Sequence, residues 1–153
     1  MDGVICFFEK RWEELYDESP ASSRNRKEFS NNWIDFCTSK QFETLDWFPG
    51  GQTLLKFIRE QDIEVEMLTS SGGEKFHNLV AEQKTVWLKK QGIAFKPNVV
   101  PGRKHKTDYA TPNSILIDDT EDIIIAFNKA GGIGILHKDA GETIEKLKVL
   151  LAK

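Results

Sequence analysis

From Ile63 onward the apolar and polar positions fall into short alternating strands and helices. Ile63-Glu-Val-Glu-Met-Leu68 alternates, then turns uniformly apolar before Thr69-Ser70-Ser71-Gly72-Gly73, which predicts a strand ending in a small polar loop. Glu74 to Lys90 follows as a helix, with Phe76, Val80 and Trp87 on one face, Trp87 in the core, and Gly92 as its stop. Lys96-Pro97-Asn98-Val99-Val100-Pro101 is a short extended piece, and Ser114-Ile-Leu-Ile-Asp118 is an apolar run suited to a strand buried on both faces. Thr120 is placed to cap a helix from Glu121 to Ala130 that stops at Gly131-Gly132. Gly134-Ile-Leu136 is a further strand, and Gly141 to Leu151 a helix with Ile144, Leu147 and Leu151 as its buried stripe.

Strands alternating with helices at this spacing predict an α/β fold, a three-layer Rossmann-like parallel sheet with helices on both faces. Reactive loops in such sheets sit at the carboxyl ends of the strands. Here those ends carry Thr69-Ser70-Ser71 and Asp118-Asp119, so hydroxyls and paired carboxylates converge on one edge.

The first half has a different pattern. Phe8, Trp12, Leu15, Tyr16, Phe29, Trp33, Phe36 and Phe42 are scattered among charged residues, interrupted by Ser19-Pro20-Ala21-Ser22-Ser23. Two helices joined by a polar loop account for this, and they form a small helical cap over residues 8–46. Leu45-Asp-Trp-Phe-Pro-Gly-Gly51 returns the chain to a core built from residues 1–7 and 47–153, with a helix from Gln52 to Gln61.

With 153 residues the chain suits one globular domain. Lys and Arg number 21 against 24 Asp and Glu, a net charge of −3, which argues against a nucleic-acid duplex or a polybasic membrane anchor as partner. No apolar run approaches the about 20 residues of a membrane span, and Val4-Ile5-Cys6-Phe7-Phe8 is too short for a secretory leader. Cys6 and Cys37 have no metal-ligand spacing with each other or with His77, His105 and His137, and read as buried free thiols of a cytoplasmic protein.

Asp118-Asp119 is the sharpest chemical feature. Adjacent carboxylates at a strand end repel unless a cation compensates, and a hard divalent ion is the natural one. The structural alternative is a helix start, with Asp119 or Thr120 as cap and Asp118 solvated. Thr69 to Gly73 offers hydroxyls and free N–H groups ahead of a helix, a competent phosphate cradle or simply a capped loop. Arg103-Lys104-His105-Lys106 is the densest basic run, either a solvated loop or the source of one lysine for the same edge.

Asp2-Gly3-Val4, Leu68-Thr69-Ser70, Lys106 and Leu116-Ile117-Asp118-Asp119, in that order, resemble the haloacid-dehalogenase (HAD) superfamily of phosphotransferases. Trp47-Phe48-Pro49-Gly50 and Thr85-Val86-Trp87-Leu88 look more narrowly like its 5′-nucleotidase (deoxyribonucleotidase) branch. The resemblance implies a Mg²⁺-dependent phosphomonoesterase with a HAD-like core, acting on a small phosphorylated metabolite, first of all a (deoxy)nucleoside 5′-monophosphate, through an aspartyl-phosphate. Asp2 matches the family's acid/base aspartate, Thr69 the phosphoryl-binding hydroxyl with Ser70 beside it, and Lys106 the charge-neutralising lysine, with Lys104 as the runner-up. Asp118, Asp119 and the Asp2 carbonyl would hold Mg²⁺ or its water shell. Phe8 lies where the nucleotidases place a base-stacking aromatic, with Phe29, Trp33 or Phe42 as the other wall. Trp12, Trp33 and Phe36 also read as the cap's own core. A homodimer is compatible with the sequence.

The family's attacking aspartate would stand one residue before Met1. Met1 is then expected to be an internal methionine of a longer functional protein. The alternatives are a relative that binds phosphate or nucleotide without catalysis, or a phosphatase of another metabolite.

Overall fold

The computed structural model describes residues 1–152. Residues 8–44 are helical: α1 (Phe8–Tyr16), α2 (Pro20–Ser23), α3 (Lys27–Thr38) and a 3₁₀ turn over Gln41–Thr44. The polar interruption thus contains a short helix of its own. Ser19 accepts the Ser22 N–H and Pro20 stands at the first helical position, where its missing N–H costs nothing. Trp12 and Phe36 are fully buried, and Phe29, Trp33 and Phe42 close around them. Aromatic side chains bury roughly 150–250 Å² each, so this cluster is the main reason the 8–44 segment holds together.

The chain enters and leaves that segment side by side. Cys6 bridges Trp47 in antiparallel fashion, the Phe7 N–H donates to Asp46 O at 2.9 Å, and the Phe48 N–H donates to Ile5 O at 2.8 Å. Lys10 pairs with Asp46 across the same junction.

The remainder is α/β. Helix α4 (Gly51–Arg59) leads to β1 (Glu66–Ser70), α5 (His77–Lys90), β2 (Lys96–Val100), a 3₁₀ helix over Arg103–Tyr109, β3 (Ile115–Asp118), α6 (Glu121–Lys129), β4 (Ile133–Leu136) and α7 (Ala140–Leu151). β1 pairs in parallel with β2, Thr69 facing Val99, and β3 pairs in parallel with β4, Asp118 facing Leu136.

The pairing is parallel as expected, but one continuous sheet is not formed among the described residues. There are two sheets of two strands each. The segment that could bridge them, Met1 to Cys6, coils instead around the Met1 carbonyl, which accepts the N–H groups of Val4, Ile5 and Cys6 at 3.1, 2.9 and 3.2 Å.

Strand bounds shift for a non-local reason. Ile63 to Val65 alternate but find no partner strand, whereas Thr69 and Ser70 pair with Val99 and Val100 and so belong to β1 rather than to a loop. Thr120 stands at the start of α6 but its side chain makes no cap; the Asp118 carboxylate accepts the Thr120 N–H at 3.0 Å instead. No helix among the described residues is long and apolar enough to cross a membrane.

Candidate functional site

Asp2 is placed by the coil at the chain start. Gly3 adopts φ +71°, a conformation that L side chains rarely adopt, and a Cβ there would overlap the Asp119 carboxylate. This close approach brings the start of the chain against Asp119.

Asp2 Oδ2 accepts from Lys84 Nζ at 2.8 Å. Lys84 comes from the inner face of α5 and is only 1% exposed. Its ammonium also donates to Thr69 Oγ1 at 2.8 Å and to the Ser70 carbonyl at 2.7 Å, with the Phe42 ring centroid 5.0 Å away. Burial works to raise the Asp2 carboxyl, but Lys84, the N-terminal ammonium and Lys106 together outweigh it and hold Asp2 below the usual carboxylate range.

A second lysine–carboxylate pair ends β3. Lys106, buried within the 3₁₀ helix, donates to Asp118 Oδ2 at 2.6 Å. Burial again works against ionisation of Asp118, but the Lys106 charge and hydrogen bond, with the N-terminal ammonium and the Thr120 N–H, together overcome it, so Asp118 also lies below the usual range. Asp119 goes the other way, because lost solvent and the adjacent Asp118 charge both favour its neutral form. Lys104 is exposed and joins neither pair.

The polar loop after β1 is built by its own hydroxyls. Ser70 Oγ accepts the Gly72 N–H at 3.1 Å, and the buried Ser71 hydroxyl lies 2.7 Å from His77 Nδ1. Gly72, at φ +81°, passes beneath Trp33: a Cβ would lie 2.6 Å from the indole. Phe8 and Trp33 are half-buried, with ring centroids 6.4 Å apart, and Phe8 stacks on Phe42 at 5.7 Å. Phe8 also contacts Trp12 and Phe36, so it belongs to the aromatic cluster.

The sequence-predicted residues therefore separate into three groups. Asp2, Thr69 and Ser70 are joined through Lys84, and Lys106 with Asp118 forms the second pair, with Asp119 against Gly3 between them. Phe8 and Trp33 lie in the helical segment, Trp33 against Gly72. Lys84 was missed by sequence reasoning, as was Gln83, whose buried amide accepts the Phe42 N–H at 3.2 Å and donates to Cys37 O at 2.7 Å.

For a divalent ion, Asp2 Oδ1 is buried without a hydrogen-bond partner, and only Oδ1 of the Asp119 carboxylate is engaged, by Thr120 Oγ1. No group of three or more His, Cys, Asp or Glu that could hold an ion is present among the described residues, and Lys84 and Lys106 stand against Asp2 and Asp118. Two surface hollows of about 400 Å³ lie elsewhere, one walled by Trp47, Gln52 and Arg59, the other by Leu88, Phe95 and Pro97.

Comparison of the chain with family models, curated proteins and solved structures finds no significant match. The site's own chemistry must carry the functional reading.

Proposed function

We propose that the chain carries the phosphate- and metal-binding part of a HAD-type phosphomonoesterase whose substrate is a (deoxy)nucleoside 5′-monophosphate. The observation that carries this is the pairing of two buried lysines with two carboxylates, Lys84 with Asp2 of the initial coil beside Thr69 of β1, and Lys106 with Asp118 at the end of β3. Buried cations beside a free hydroxyl suit a dianionic phosphoryl group, whose charge must be neutralised where water is excluded.

Each residue has a role in this reading. Lys106 uses one N–H on Asp118 and has two left for phosphoryl oxygens. Thr69 accepts from Lys84 and keeps its own O–H to donate. Asp2, held ionised, takes the proton of a water attacking phosphorus. The Asp2 backbone carbonyl, Asp118 and Asp119 would hold Mg²⁺, which when bound would draw charge from the phosphoryl oxygens, and Asp2 Oδ1 stays free to take the proton. Phe8 and Trp33 would hold the base, stacking being worth ~1–3 kcal/mol per base.

The attacking carboxylate in this reading stands directly before Met1, at the end of an apolar strand between β1 and β3. Two features support that placement. Each of these strands has a partner on one side only. They also share both faces: Leu68 of β1 packs with Leu116 of β3, while Met67, Ile115 and Ile117 pack into the opposite cluster. A fifth strand there would complete a three-layer Rossmann-like sheet.

Binding without catalysis is the second reading, favoured by one observation. Lys84 holds Asp2 ionised, so Asp2 can accept a proton but has none to give a leaving alcohol. Phosphate release from a panel of nucleoside monophosphates separates the two: turnover with a base preference supports the nucleotidase, base-independent turnover points to another metabolite, and binding alone supports the second reading.

A further inference from the structure

Lys84 and Lys106 are both buried cations beside a carboxylate, yet their donors are spent differently. An ammonium has three N–H groups. Those of Lys84 are all used, on Asp2 Oδ2, Thr69 Oγ1 and the Ser70 carbonyl, at 2.8, 2.8 and 2.7 Å. Lys106 has a single partner, Asp118. Phe42 backs the Lys84 ammonium from the helical segment, and Gln83, the preceding residue, fixes the Phe42 backbone.

Resting on the function proposed above, we infer that Lys84 is a positioning residue: it binds no substrate but sets the Asp2 carboxylate and the Thr69 hydroxyl for a phosphoryl group that Lys106 contacts. With Oδ2 committed to Lys84, Asp2 presents Oδ1, the buried oxygen that has no protein partner. With Oγ1 accepting from Lys84, the Thr69 proton is turned away from the ammonium, and it meets no acceptor among the described residues. Both unspent groups are the ones a phosphoryl group and a water attacking it would use. A lysine that merely filled the core would carry no such division, and a lysine that bound phosphate would keep a donor free.

The test compares inorganic phosphate binding, in metal-free buffer, for variants of the two pairs. Lys84→Met leaves the Asp2 charge unpaired beside the site and should weaken binding about tenfold or more, the scale of an uncompensated charge. Lys84→Arg should restore part of the loss. The double variant Asp2→Asn/Lys84→Met should recover part of the loss and bind clearly tighter than Lys84→Met, since it removes the repelling charge together with its partner while Thr69 stays unpositioned. Lys106→Met should also weaken binding, and Asp118→Asn/Lys106→Met should not recover. A double variant at Asp2 and Lys84 that stays as weak as Lys84→Met makes Lys84 a phosphate ligand and overturns the inference.

Two readouts hold without phosphate. The Thr69 side chain should show a single rotamer by three-bond NMR couplings in the parent and an averaged one in Lys84→Met; an unchanged rotamer overturns the inference. If Lys84→Met fails to fold, Asp2→Asn/Lys84→Met should fold again, and a double variant no better than the single contradicts the pairing. A parent that binds no phosphate counts against the proposed function alone, because the rotamer and folding results still decide Lys84.

Discussion

Gln83 and Lys84 are neighbours on α5, both buried, and each holds a different part of the chain: Gln83 the backbone of Cys37 and Phe42, Lys84 the side chains of Asp2 and Thr69. One turn of a core helix thus fixes the helical segment and the candidate site together. Gln83→Leu would leave the buried Phe42 N–H without a partner, at roughly 1–3 kcal/mol, while Cys37 C=O keeps a long bond from Lys40 N–H at 3.4 Å, so a loss of about 1–3 kcal/mol is expected. Urea unfolding measures it, and a change under about 0.5 kcal/mol, the range of ordinary surface substitutions, would rule out the clamp.

Gly72 is predicted to be intolerant of a side chain for two separable reasons. Its φ of +81° costs an L residue roughly 1–2 kcal/mol, and a Cβ would press on the Trp33 ring at 2.6 Å. Gly72→Ala should therefore destabilise the protein, and Trp33→Ala should relieve the steric part but not the backbone part. In a double-mutant cycle the double variant should lose less than the sum of the singles. Strict additivity would mean that Trp33 does not lie over the loop.

Cys6 and Cys37 are buried, and loss of solvent pushes both thiols up to about 12. The thiolate is the reactive form, and against a free thiol near 8.5 its fraction at neutral pH falls by about three orders of magnitude. Both should resist Ellman's reagent in the folded protein and react together as urea unfolds it. Rapid labelling of either in native buffer would contradict their burial.

His137 gives the pH dependence. Burial lowers its folded pKa below the ordinary 6.5; Nδ1 is engaged with Thr143 Oγ1 at 2.7 Å, while Nε2 is buried without a partner. The unfolded chain therefore takes up the proton first as pH falls. Stability from this group is full above about pH 6.5 and is lost below it. Thermal melts should show Tm falling between pH 7.5 and 5.5 in the parent and falling less in His137→Gln. An equal fall in both would assign the dependence to other groups.

What the sequence revealed and what it hid follow the same physical line. Thr69 and Asp118-Asp119 were legible because strand-end residues announce themselves by an abrupt change from apolar to polar within a few positions, and Lys106 because it stands in the densest basic run. Lys84 and Gln83 were not. They sit among Val80, Trp87 and Leu88 on a helix buried on more than one face, where polar residues look like the solvent side of an amphipathic stripe. The β1 bounds were hidden because pairing with Val99 and Val100, thirty residues away in sequence (Thr69 to Val99, Ser70 to Val100), decided them rather than local alternation. The split into two sheets was equally invisible, since it depends on how Met1 to Cys6 coils.

The central claim is that Thr69, Lys106, Asp118 and Asp2 form a phosphomonoesterase site lacking only an attacking carboxylate ahead of Met1. The direct measurement is Mg²⁺-dependent phosphate release from nucleoside 5′-monophosphates by two proteins, the chain beginning at Met1 and the same chain with an apolar strand ending in Asp fused before Met1. The first should show little or no turnover, because positioning and electrostatics leave only a residual rate without a nucleophile. The fused form should turn over with a preference among bases, and changing the added Asp to Asn should abolish it. Turnover at an ordinary enzymatic rate by the Met1 form, or none by the fused form while its fold is intact, would contradict the account.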